Sequence, residues 1–76
     1  MTDTKLLRAE IHRSGISISF LSRKMGMTRE GFYNKLNGKS EFKASEIAAL
    51  STLLQLTVEK RERIFFAKLC DLKSSN

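Results

Sequence analysis

Residues 17–38 read SISFLSRKMGMTREGFYNKLNG, and the rest of the chain is best understood from this stretch outward. Ser17 and Thr28 are residue types that begin helices, because a hydroxyl oxygen accepts a hydrogen bond from a free backbone N–H group. Each is followed by two apolar residues four positions apart, which would share one helix face. Gly26 and the pair Asn37-Gly38 are typical helix ends. The spacing therefore predicts two short helices joined by a tight turn, with apolar faces made by Leu21 with Met25 and Phe32 with Leu36.

Three further helices are predicted around this pair. The first rests on Leu7 and Ile11, is capped by Thr2, Asp3 or Thr4, and ends at Gly15. The fourth rests on Ile47, Leu50 and Leu54, begins near Lys43 or Ser45, and is followed by Thr57, which can cap the fifth. The chain is thus predicted to be one all-α domain over residues 1–76, with helices at about 4–14, 18–25, 29–36, 44–54 and 58–70.

Charge and composition narrow the class of protein. The net charge is +6, and the first 43 residues carry nine Lys or Arg against four Asp or Glu. A basic half favours polyanions such as nucleic acid or an anionic membrane, although a solvated surface explains an excess of this size equally well. The single cysteine makes no internal disulfide, and no run approaches the ~20 apolar residues of a membrane span. A cytoplasmic protein without a membrane partner is expected.

A helix, a Gly-containing turn and a second helix form the layout of a helix-turn-helix, whose second helix enters a DNA groove. The predicted third helix carries side chains that can read base edges: arginine binds guanine, asparagine binds adenine and glutamate accepts from cytosine. Tyr33 can bond a phosphate or pack on a thymine methyl. Every exposed helix has a polar face, so a purely structural explanation remains open for Arg29, Glu30, Tyr33 and Asn34.

Three residues in the central stretch depart from a simple amphipathic pattern. Ile18 lies at the start of the second helix, where it either faces DNA or, as we favour, packs against the first helix. Phe20 lies off the apolar face and is expected to reach the core against the C-terminal helix. Gly31 costs about 1 kcal/mol relative to alanine inside a helix, which predicts close approach of DNA or of the second helix.

The last predicted helix is too apolar around its circumference for one buried face. A second apolar surface in so small a chain predicts a partner, and a symmetric dimer is the commonest solution. The alternative is that these residues close the core of a monomer. The residues assigned to the dimer interface are Ile64, Phe65, Phe66 and Leu69.

No enzyme is predicted. His12 is the only histidine, with no cysteine or carboxylate at the spacing of a metal site, and Cys70 is far from it in sequence. There is no Gly-rich phosphate loop and no nucleophile beside a base. We therefore expect no catalytic residue, no metal, no cofactor and no small-molecule ligand.

The stretch from Gly15 to Phe42, GISISFLSRKMGMTREGFYNKLNGKSEF, resembles the DNA-binding domain of the lambda-repressor/Cro-like (Xre) helix-turn-helix family. The resemblance covers about residues 5–56. Its most specific parts are the spacing of Leu21, Gly26 and Thr28, the LNGKS segment, and the helix that ends at Leu54-Gln55-Leu56-Thr57. The segments FYNKLNG, SEFKASEI and ERIFFAK also look like those of short prophage-type regulators of Gram-positive bacteria.

The resemblance implies a fold of five short helices in a dimeric repressor or Cro-like protein bound to a palindromic operator. Carried over by position, it implies base reading by Arg29, Glu30 and Asn34. The chain departs from the family pattern at Ile18, Phe20 and Lys35. The alternative function is a protein-interaction module on the same fold, such as an antitoxin or an antirepressor partner. The residues that the resemblance implies for the DNA backbone or for support are Ser17, Ile18, Thr28, Tyr33, Asn37 and Lys39.

Overall fold

Five α-helices and no strand make up residues 2–66, the part of the chain that the computed structural model describes. The predicted all-α, five-helix fold is confirmed, and the observed bounds agree with prediction within a residue except for the last helix. Residues 67–70, which the prediction included in that helix, lie outside the described residues. The helices are α1 (Thr4–Ser14), α2 (Ile18–Lys24), α3 (Arg29–Leu36), α4 (Ala44–Leu53) and α5 (Val58–Phe65).

Four of the helices begin at a side-chain cap. In each case the side-chain oxygen accepts a hydrogen bond from the backbone N–H three residues later, at 3.0 or 3.1 Å. α4 is different, because Lys43 occupies its cap position and the Glu46 carboxylate accepts from the Lys43 N–H at 2.8 Å instead. Free N–H groups at helix starts are thus satisfied locally. The four capping residues are Asp3, Ser17, Thr28 and Thr57.

Two glycines turn the chain out of α2 and α3. Gly26 has φ 70° and Gly38 has φ 83°, a left-handed backbone that costs glycine little. α4 turns in the same way at Gln55, with φ 53°, where a Cβ makes the conformation unfavourable. The Leu56 N–H donates to the Ser51 carbonyl at 2.9 Å and closes this turn.

One apolar core joins the five helices. Phe42, in the loop between α3 and α4, places its ring edge-to-face with Phe32 and with Phe65, with 5.9 Å between centroids in each pair. This geometry is favourable for aromatic pairs and connects α3 to α5. The buried apolar residues are Leu7, Ile11, Leu21, Phe32, Leu36, Phe42, Leu50, Leu54, Ile64 and Phe65.

The burial of α5 corrects the predicted dimer interface. Ile64 is 0% exposed and Phe65 is 3% exposed, so neither is available to a partner. The N-terminal segment covers this end of α5, since the Asp3 N–H donates to the Ile64 carbonyl at 2.6 Å. These two residues close the monomer core. Phe66 is half-buried, and Leu69 lies outside the described residues.

Two other expectations differ from the structure: the core contact of Phe20, and the approach of α2, which is one of the two partners predicted for Gly31. Phe20 does not reach the core: it is 38% exposed, and the Lys24 ammonium lies 5.6 Å from the centroid of its ring. Gly31 does not admit α2, because a Cβ built there would lie 3.1 Å from the Thr28 hydroxyl oxygen and within 4 Å of nothing else outside its own helix backbone and chain neighbours. The close neighbour of Gly31 is therefore the cap of its own helix.

Ion pairs connect the helices at two places. Glu10 binds Arg13 at 2.9 Å and Lys60 at 3.5 Å, which joins α1 to α5, and the hydrogen bond from Arg13 is the main cause of the lowered pKa of Glu10. Glu46 binds Lys35 at 2.5 Å, which joins α4 to α3. Burial alone would raise the pKa of Glu46, but hydrogen bonds from Lys35 and from the Lys43 backbone outweigh it and lower that pKa.

The described residues were compared with the requirements of a membrane-spanning helix and of a metal site. No helix within residues 2–66 is both long and apolar enough to cross a bilayer. In the same range, His, Cys, Asp and Glu side chains do not gather in groups of three that could hold a metal ion.

Candidate nucleic-acid interface

The packing of α3 leaves one of its faces outward. Its inner face carries Phe32 and Leu36 and packs against α1 and α2. On α2, the small side chain of Ser22 is buried, and its hydroxyl donates to the Ile18 carbonyl at 2.8 Å. This bond within α2 satisfies a buried polar group.

The outward face of α3 is a polar surface whose side chains make no bonds with the part of the chain that the structure describes. Arg29, Glu30 and Tyr33 are exposed, and Asn34 is half-buried. None of the four side chains makes a hydrogen bond or ion pair with another of residues 2–66. We call these four residues the reading surface. Because their donors and acceptors are free, they can bind an external partner without breaking an internal bond.

The two cap residues beside the reading surface keep one donor each. Ser17 and Thr28 use a hydroxyl oxygen to accept from the backbone of α2 and α3. A hydroxyl also carries one O–H donor, which a phosphate oxygen can accept. Ile18 is half-buried and packs against the core from the start of α2. Its predicted contact with α1 in particular stays a prediction.

Asn37 and Lys39 follow α3, and they differ in whether the side chain has a partner. The Arg8 guanidinium of α1 donates a hydrogen bond to the Asn37 side-chain oxygen, which leaves the Asn37 amide NH₂ free to donate. Lys39 is exposed and pairs with no carboxylate among residues 2–66. Arg8 is a candidate functional residue that sequence reasoning missed. Nothing local marks it, because its partner is 29 positions away.

The ion pairs of the fold leave a basic surface around the reading surface. Glu10 and Glu46 bind cations at the contacts of α1 with α5 and of α3 with α4. The cations on α2, at the start of α3 and in the next loop bind no carboxylate within the described range. These cations outnumber Glu30 and Glu41, the unpaired carboxylates of the same stretch, and the resulting net positive charge favours a polyanionic partner. These cations are Arg23, Lys24, Arg29, Lys39 and Lys43.

A concavity lies between α4 and α5. It has a volume of about 390 Å³ and is lined in part by Ile47, Ala48 and Phe66. One wall of the concavity belongs to α5, and Val58 at the start of α5 is 67% exposed. Phe66 lies on this side of the molecule. Of the predicted dimer interface, it is the described residue that stays partly accessible.

Neither a protein-family model, nor a curated protein, nor a solved structure matches the chain.

Proposed function

We propose that this protein is a sequence-specific, double-stranded-DNA-binding regulator of transcription, of the lambda-repressor/Cro-like helix-turn-helix kind, that binds its operator as a homodimer. The observation that carries the proposal is the reading surface. Four base-competent side chains stand on the outward face of a short helix, and none of them is engaged within the described protein.

Base recognition falls to three of these side chains. Arg29 donates two hydrogen bonds to guanine, Asn34 pairs with adenine, and Glu30 accepts from the amino group of cytosine. Glu30 also favours specificity, because a carboxylate near the phosphates weakens binding wherever it finds no cytosine. Tyr33 bonds a phosphate or packs on a thymine methyl.

Backbone contacts supply affinity without reading sequence. Lys39, the free amide of Asn37, and the hydroxyls of Ser17 and Thr28 lie at both ends of α3 and at the start of α2. Each cation that neutralises a phosphate releases counterions, so the affinity falls as salt concentration rises. The excess of cations over carboxylates in α2, α3 and the loop after α3 supports this part of the proposal.

A homodimer fits the use of a single short helix. Two copies of α3 would enter successive major grooves about 34 Å apart on a palindromic site. Phe66 and the concavity between α4 and α5 are the surface that we assign to the second copy. The variant Phe66→Ser tests this assignment by sedimentation: we expect a weaker dimer, and an unchanged dimer constant would contradict it.

The same concavity also supports a second candidate function, binding to another protein. A partner of different sequence, as in an antitoxin or an antirepressor complex, could use this apolar surface. Copurification with an unrelated protein and without nucleic acid would favour this function. A stable homodimer in sedimentation would favour the DNA-binding regulator.

The proposal is tested with DNA that flanks the protein's own gene. We expect a gel shift with one of these fragments that survives excess random duplex and weakens steeply with salt. Binding that is absent from every fragment, or that is insensitive to salt, would contradict the proposal.

A further inference from the structure

An open groove lies beside the reading surface, between α1, the α1–α2 turn and α3. Its volume is about 670 Å³. Its apolar lining comes from Ile11, Ile16, Ile18 and Leu36. Its polar lining comes from Arg8, His12, Ser17 and Tyr33, and no carboxylate among residues 2–66 lines it. The groove therefore combines apolar walls with groups that can bind an anion.

The polar groups come from three elements. Arg8 and His12 are four residues apart on α1 and so lie on one face of that helix. Ser17 caps α2 and Tyr33 belongs to α3. Each of the four can donate a hydrogen bond, and Arg8 is already held toward α3 by Asn37. A group of hydrogen-bond donors with no carboxylate beside them can bind a phosphate without repulsion.

The occupant that the groove fits is the deoxyribose–phosphate backbone of the bound DNA. Ser17, Ile18 and Tyr33 were each assigned to the backbone or to its support, and all three line the groove. The groove is thus continuous with the proposed DNA interface. Its apolar walls suit the sugar, and its donors suit the phosphate.

We infer that α1 contributes Arg8 and His12 as phosphate contacts across this groove, and that His12 makes the affinity for DNA depend on pH. This inference rests on the proposed function. It adds α1, a helix outside the helix-turn-helix, to the proposed DNA interface. It also makes pH a signal that changes the affinity for DNA.

Within residues 2–66, His12 has no counterion that would obscure such an effect. Its side chain makes no hydrogen bond or ion pair with another described residue. On α1, Glu10 is held by Arg13 and by Lys60 of α5, and Arg8 is held by Asn37 of α3. From α3, Tyr33 lines the groove, and no carboxylate of α3 does.

The sign of the effect follows from linkage. A histidine changes charge between about pH 5 and 8, and a bound phosphate favours the protonated imidazole. Binding of DNA therefore takes up a proton, and affinity is full at the acidic end and decreases as pH rises. For one solvent-accessible contact we expect a loss of roughly three- to tenfold between about pH 5.5 and pH 8.

The test uses the full chain and a roughly 20-base-pair duplex of mixed sequence, long enough for two successive major grooves. Fluorescence anisotropy gives the dissociation constant at both pH values over a range of KCl concentrations. We expect the wild type to lose affinity with pH, and its salt slope to be larger at low pH by about one phosphate contact.

Two variants identify the group responsible. His12→Gln keeps a donor but has no group that changes charge in this range, so its affinity should vary little with pH. Arg13→Gln is the control, because Arg13 neighbours His12 but does not line the groove; it should keep the wild-type pH profile. If His12→Gln retains that profile, the inference is wrong and the proposed function still stands. If the wild type binds neither this duplex nor any fragment that flanks its own gene at either pH, both are wrong.

Discussion

The side chain of Asn37, at the end of α3, accepts a hydrogen bond from the guanidinium of Arg8 in α1. This bond crosses the molecule from its first helix to its third. It holds a cation beside the loop that follows the reading surface, and it orients the Asn37 amide so that its NH₂ group stays free. In the proposed interface, α1 therefore adds to the helix-turn-helix.

Replacing Arg8 should weaken DNA binding without changing its sequence preference. We expect Arg8→Ala to lower affinity for operator and random duplex alike, by roughly three- to tenfold, because one phosphate contact and the orientation of Asn37 are lost. The matched control is Lys5→Ala, which removes an exposed cation of α1 that lines neither the groove nor the contact with Asn37. Equal affinities of the two variants, measured by anisotropy, would contradict a specific role for Arg8.

Base reading and phosphate binding should separate at Arg29 and Lys39. Arg29→Ala should cost ~1–3 kcal/mol on the operator and relax the preference for one base pair. Lys39→Ala should weaken binding to all sequences about equally and reduce the salt slope by about one. Dissociation constants on operator and random duplex distinguish these results. If both variants lose the same affinity on both duplexes, Arg29 does not read a base.

The left-handed residue at the end of α4 should be a site of stabilisation. Gln55 has φ 53°, a conformation that disfavours a side chain with a Cβ. We expect Gln55→Gly to raise the free energy of unfolding by about 0.5–1 kcal/mol in urea titration. Gln55→Ala keeps the Cβ and is the control. A glycine variant no more stable than the alanine variant would show that this turn stores no strain.

The ion pair between Glu46 and Lys35 should make part of the stability depend on pH. The side chains are only 15% and 14% exposed, and the pKa of Glu46 is lowered from an ordinary 4.5. A lowered carboxyl pKa contributes stability that is present above the ordinary value and is lost as pH falls through the lowered one. Glu46→Gln should therefore cost about 1–2 kcal/mol at neutral pH and less in acid.

Urea unfolding of wild type and Glu46→Gln at several pH values measures this difference. Glu41→Gln is the control, since Glu41 is exposed and pairs with no cation among residues 2–66. A constant difference between wild type and Glu46→Gln down to the most acidic pH at which both fold would mean that the ion pair does not stabilise the protein.

Local signals made most of the fold predictable. Ser17, Thr28 and Thr57 cap helices through bonds to residues three positions away, and Gly26 and Gly38 turn the chain where their left-handed backbone permits it. Such bonds depend on nearby sequence alone. The apolar pairs four residues apart likewise identified the buried faces of α1, α2 and α3, although Met25 is only half-buried.

What escaped prediction depends on contacts between distant residues. Ile64 and Phe65 looked like a second apolar surface, but the N-terminal segment and Phe42 cover them from elsewhere in the chain. The bond between Arg8 and Asn37 exists only because α1 packs on α3. The left-handed turn at Gln55 had no glycine to indicate it. In the candidate site, the sequence pattern therefore predicted the exposed polar face of α3 and gave no sign of the bond from α1.

Base reading by α3 is tested by selecting, from a random-sequence duplex library, the DNA that the full-length protein retains. We expect enrichment of one palindromic sequence whose half-sites lie about one helical turn apart. Repeating the selection with Arg29→Ala should lose a guanine preference from each half-site and leave the spacing unchanged. A library that shows no enriched sequence, or a guanine preference that survives Arg29→Ala, would contradict the proposal that α3 reads DNA through Arg29.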